Sequence, residues 1–147
     1  MHTFDLVTIL CAAFMTGNEI AVSLFVNPVV WQLDERSQAQ ALRLFAVRLG
    51  KAMPFWYAAS LLLMVIEAIL RRHQPASPWI VAAASLWMAI IVYTLVVLVP
   101  INNRIAALDL NSLPAGWLPQ HRKWDAHHRV RILLLIVAVA LLAYGIA

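Results

Sequence analysis

An all-α integral membrane protein, built as a four-helix bundle, is the fold this chain predicts, and two observations carry that expectation. Hydrophobic residues make up 63% of its 147 residues and charged residues only 12%, a balance outside the range of soluble domains. The apolar residues also fall into four runs, each near the roughly 20 residues that a helix needs to cross a bilayer. The length suits one domain, taken as residues 1–147.

The first span is expected at about 6–31, because Leu6 to Leu33 is uncharged except for Glu19. Asp34 to Lys51 then sets Arg36, Arg43, Arg48 and Lys51 against Ala39, Leu42, Phe45, Ala46 and Leu49. That helical spacing with one apolar face predicts a short interfacial helix between spans one and two. The second span, about 52–70, ends at Arg71-Arg72-His73, and the third, about 79–100, lies inside the charge-free interval from Gln74 to Asn103. Asp109 to Lys123, with Pro114, Gly116 and Pro119, reads as a loop, and the fourth span is expected at about 124–146. The first run starts next to Met1 with no basic stretch before it, so no cleavable leader is expected. Cys11 is the single cysteine, which leaves no disulfide framework.

Four spans put both termini on one side. The loops after spans one and three, with the start of span four, carry nine lysines and arginines, and the opposite side only Arg71 and Arg72. This positive-inside bias predicts external termini and cytoplasmic longer loops, as in a bacterial inner membrane. No basic stripe with interleaved aromatics lies outside the membrane-flanking segments, so nucleic acid is not an expected partner. Membrane lipids and an apolar small molecule are, and a homo-oligomer is open.

The polar residues inside the spans carry the functional expectation. On a helix, Thr16, Glu19, Ser23 and Asn27 fall within roughly 80° of one another, and Glu19 lies about 20 Å along the helix from Asp5 at 1.5 Å per residue. An unpaired carboxylate near the bilayer centre costs several kcal/mol, so Glu19 should face the bundle and be paired or protonated. Asn18 beside it can make interhelical hydrogen bonds. Asn102, Asn103 and Arg104 stand at the exit of span three, and Trp124, His128 and Arg131 share one face at the start of span four. Together with Asn27, these residues could rim a cavity closed below by Glu19. The estimated depths of Glu19 and His128 nevertheless differ by roughly 10 Å at 1.5 Å per residue, which argues against both ligating one metal. No HxxxH, HExxH or CxxC pattern points to a metal site, and no cofactor is named by the residues.

Gly17-Asn18-Glu19 with Asn27-Pro28, then Pro100-Ile101-Asn102-Asn103-Arg104, then Trp124-Asp125-Ala126-His127-His128-Arg129-Val130-Arg131 resembles the anthrone oxygenase-like family. These are small four-span membrane proteins, also catalogued as a domain of unknown function. The resemblance covers nearly the whole chain in element order and length, with Asn27 standing where many members have histidine. It implies a membrane four-helix fold and, from some fungal members, oxidation of an anthrone to an anthraquinone. On this reading the enzyme acts on an apolar aromatic or quinone-like molecule by proton abstraction and reaction with dioxygen. Glu19, His128 and Arg131 would be catalytic, and Asn18, Asn27, Asn102, Asn103, Arg104 and Trp124 would bind substrate. A central membrane glutamate also fits a proton-coupled small-molecule transporter, and a non-catalytic membrane subunit is a third class.

Overall fold

The computed structural model describes residues 3–147. Four helices account for most of it: α1 (Thr3–Val30), α2 (Glu35–Leu70), α3 (Ser77–Ala106) and α4 (Trp117–Ile146), each long and apolar enough to cross a membrane. The chain is an all-α integral membrane bundle. α1 and α3 each pack between α2 and α4 and lie diagonally from one another, the up-and-down arrangement that short connections enforce.

Local chemistry fixes the helix ends. Asp34 caps α2 by accepting a hydrogen bond from the Ser37 backbone N–H at 3.1 Å, which satisfies one of the otherwise unpaired first-turn donors. The bonds from Ser37 hold the Asp34 carboxyl below its ordinary value of 3.8. α4 starts behind Gly116, whose φ of 87° lies in the left-handed region that favours glycine. Pro119 then falls in the first turn of α4, where its missing N–H removes no helical bond.

The interfacial helix expected between spans one and two does not form a separate element: α2 runs unbroken for 36 residues, about 54 Å at 1.5 Å per residue. The amphipathic stretch finds protein instead of headgroups. Ala39, Leu42 and Ala46 pack with Val30, Ile105, Leu108 and Trp117 as a small second core at the loop end of the bundle. Nothing at Lys51 interrupts the helix, and Pro54 sits inside it opposite Gly50, four residues back. The start of α4 also moves, seven residues ahead of the expected Trp124.

The main core lies deeper and brings Met15, Met64, Ile80, Trp87, Leu135 and Leu142 together from all four helices. Trp87 is fully buried, and its indole N–H donates to the Tyr57 carbonyl at 3.2 Å. At the terminal end α3 and α4 approach so closely that a Cβ on Gly145 would meet Ile80 Cγ1 at 2.6 Å. There Arg71 bridges Asp5 at 2.8 Å and Glu67 at 3.3 Å, the latter as the i, i+4 pair visible in the sequence.

Two helices are interrupted in the same way. α1 contains a π-turn at Val22–Val26 and α3 one at Thr94–Leu98, each ending one residue before the residue that precedes a proline. The Asn27 N–H reaches back to the Val22 carbonyl, and the Val99 N–H to the Thr94 carbonyl. The rings of Pro28 and Pro100 displace the carbonyls four residues earlier, and the wider turn absorbs that clash.

Candidate functional site

Between the two π-turns the four helices enclose a cavity of about 400 Å³ with mostly apolar walls. It reaches the surface between α2 and α3, where Gly50, Pro54 and Leu95 are exposed lining residues. Its polar end is built on α1 and α4. Glu19 Oε2 receives the Arg131 guanidinium Nη2 at 2.6 Å and faces His128 Nε2 at 2.5 Å. The other oxygen, Oε1, accepts a 3.3 Å hydrogen bond from the Tyr57 hydroxyl. Arg131 also reaches Thr94 Oγ1 at 3.4 Å, and its Cζ lies 5.6 Å from the centre of the Tyr57 ring.

Glu19, His128 and Arg131 are all buried. A lone charge at this depth would be costly, whereas a carboxylate directly paired with a guanidinium leaves the site close to neutral. The imidazole is held as well: Trp124 stacks on it at 4.6 Å with 25° between the planes. A second polar pair ties the same two helices together nearer the loops. Asn27 Nδ2 donates to Asp125 Oδ1 at 2.7 Å, and Arg129 donates to the other Asp125 oxygen at 2.8 Å.

The structure gathers most, though not all, of the residues singled out in the sequence. Glu19, Asn27, Asn102, Asn103, Trp124 and Arg131 line the cavity. His128 stands behind Trp124 and reaches the site through Glu19. Asn18 turns instead to Met53 Sδ at 3.6 Å on α2. Arg104 is exposed and borders a separate, smaller hollow near Trp117 and Pro114. The depth expected for His128 is corrected: it meets Glu19 directly, because starting α4 at Trp117 carries His128 about 10 Å further into the bundle at 1.5 Å per residue.

Three residues of the site escaped the sequence reading. Tyr57 follows Phe55 and Trp56 in span two and has no distinguishing pattern in the sequence, although a buried tyrosine needs a partner for its hydroxyl. Thr94 looked like an ordinary apolar-span threonine. His121 fell in the segment read as a loop. Among the described residues no three His, Cys, Asp or Glu side chains converge to hold a metal ion. Glu19 and His128 meet directly beside the cavity, and Arg131 already occupies the shared carboxylate oxygen. What this arrangement can do is accept a proton at a carboxylate while presenting a guanidinium and a phenol hydroxyl to a developing oxyanion.

A family model described as anthrone oxygenase matches residues 41–141 of the chain. The matched stretch includes Tyr57, Asn102, Asn103, Trp124, His128 and Arg131, while Glu19 and Asn27 precede it. Compared with curated proteins and with solved structures, the chain finds no match.

Proposed function

Since the chain belongs to the anthrone oxygenase family, we propose that it is a membrane-embedded oxygenase acting on an apolar aromatic with an acidified C–H or enolic O–H. The observation that carries this reading is the convergence of Arg131 and His128 on one oxygen of Glu19 at the wall of an apolar cavity. Glu19 takes the substrate proton. As its charge disappears, Arg131 is released to pair with the new enolate or phenolate oxygen, so the buried site keeps its charge balance through the step. The Tyr57 hydroxyl, bonded to Glu19 Oε1, is the second donor available to that oxyanion. His128 positions the carboxylate and can share its proton.

The electron-rich carbanion then reduces dioxygen, forming a C–O bond. The resulting hydroperoxide loses its remaining C–H proton and breaks its O–O bond, giving a carbonyl and one water. One dioxygen converts one methylene to one carbonyl, with no other oxidant required. The substrate arrives from the lipid through the gap between α2 and α3 that Gly50, Pro54 and Leu95 border. The longer loops face the cytoplasm of a bacterial inner membrane and the termini face outward. Removing buried Arg131 from the basic residues still leaves eight against two, so the positive-inside argument keeps its sign.

The test is dioxygen uptake and quinone formation by the purified protein in lipid nanodiscs, supplied with unsubstituted anthrone and compared with protein-free nanodiscs. Catalysis above the spontaneous oxidation, lost in Glu19→Gln, supports the reading. A rate equal to the protein-free control, or undiminished in Glu19→Gln, overturns it.

A further inference from the structure

The end of the cavity opposite Glu19 is formed by a row of rings that includes His121, whose Nε2, like His128 Nδ1 and Arg131 Nε deeper in the bundle, is buried without a hydrogen-bond partner among the described residues. His121 is only 5% exposed. It stacks on Trp124 at 5.4 Å with 14° between the planes, and lies against Trp31 at 5.4 Å. His121 lines the cavity, yet its buried Nε2 has no hydrogen-bond partner among the described residues. Burying a polar nitrogen unpaired carries a desolvation penalty that nothing offsets. A phenylalanine would fill the same place in the stack without that cost, so packing alone does not account for an imidazole.

Position adds a second argument. His121 and Arg131 lie on the same helix and line the same cavity. Ten residues separate them, about 15 Å along the axis at 1.5 Å per residue. The lining also includes Met53, Leu98 and the face of Trp124, and the amides of Asn27 and Asn102 on the same wall are already engaged by Asp125 and the Ala46 carbonyl. The cavity therefore has hydrogen-bonding groups at two ends and an aromatic surface in the middle.

We propose that His121 Nε2 binds an oxygen function at the far end of the ligand, so that the site selects an elongated planar molecule with oxygens at both ends over one with a single oxygen. This rests on the reading of the cavity as the substrate site. Neutral imidazole accepts from a hydroxyl in one tautomer and donates to a carbonyl in the other, so the chemistry recognised is an oxygen, and the probes separate its two forms.

The experiment is calorimetric titration of the protein in nanodiscs with naphthol, with a dihydroxynaphthalene whose oxygens lie at opposite ends, and with the corresponding acetylnaphthol. The wild-type protein is expected to bind one or both doubly oxygenated probes up to about tenfold more tightly than naphthol, the worth of one net hydrogen bond. His121→Phe keeps the stack and should bring that ratio to about one with naphthol binding retained, while His121→Gln restores part of it. A structural histidine would weaken all probes alike. A ratio unchanged in His121→Phe overturns the assignment and leaves the cavity reading standing. No binding of any probe to the wild-type protein overturns both.

Discussion

Arg131 Nη2 lies 2.6 Å from Glu19 Oε2, so the deepest charges of the cavity form one ion pair between α4 and α1. Both members are buried apart from the small area that faces the cavity. The pair is therefore expected to be costly to halve and cheap to remove whole. Arg131→Leu should destabilise the fold by about 3–5 kcal/mol, because it strands a carboxylate. The double variant Glu19→Leu with Arg131→Leu should recover most of that loss. Equilibrium unfolding in mixed detergent and denaturant measures the cycle, and strictly additive single losses would mean that the two charges do not depend on one another.

Tyr57→Phe removes one hydroxyl and leaves the ring against Arg131 and Trp87. On the proposed mechanism kcat with anthrone should fall about a hundredfold to a thousandfold, the range for losing one oxyanion donor, while KM changes little. A fall confined to KM would place the hydroxyl in binding rather than in the chemical step.

Gly145→Ala tests the tight crossing of α3 and α4. The added Cβ would meet Ile80 Cγ1 at 2.6 Å and the Ile80 backbone N at 3.1 Å, and the backbone contact cannot rotate away. Overpacking of this kind costs about 1–3 kcal/mol, and a lowered midpoint of thermal unfolding in detergent is the expected readout. Ile80→Ala, which removes Cγ1, should cost less in the Gly145→Ala background than it does alone.

Acid should loosen the start of α2. The Asp34 carboxyl is held below its ordinary value by its bonds to Ser37, so its contribution to folding is fully present above the ordinary aspartate range. That contribution is lost as pH falls through the lower folded value. Hydrogen exchange at the Ser37 amide should accelerate, relative to the neighbouring helical amides, as pH drops below about 4. In Asp34→Asn, which keeps an accepting oxygen without a titrating group, that acceleration should disappear.

The four helices and most polar members of the site were legible because a bilayer makes each buried polar residue conspicuous: Glu19 interrupts an otherwise uncharged run from Leu6 to Leu33. The geometry between them was less legible. Gly116 and Pro119 looked like loop residues, whereas one precedes α4 in a left-handed conformation and the other occupies its first turn. That choice hid His121 and set His128 too shallow. Asp34 to Lys51 has the periodicity of an interfacial helix, and composition does not tell a face covered by headgroups from one covered by Val30, Ile105 and Trp117. Tyr57 and Thr94 carried no signal of their own, since they matter only through Glu19 and Arg131 on other helices.

The two π-turns have a genetic consequence. Residues from both, Val22 and Thr94 among them, line the cavity, and each turn holds one residue more than an α-helical turn over the same carbonyl-to-amide closure. Deleting one residue within either turn would let ordinary helical winding return with the residues beyond it in nearly their present directions, at the cost of bringing the proline ring back against the carbonyl four residues earlier, whereas the same loss in an α-helical stretch would turn everything beyond it by about 100°. The register of the site is thus written as a one-residue insertion on each of two diagonal helices. An in-frame loss of Leu24, inside the turn, should therefore be tolerated far better than the loss of Leu10 in the regular part of α1.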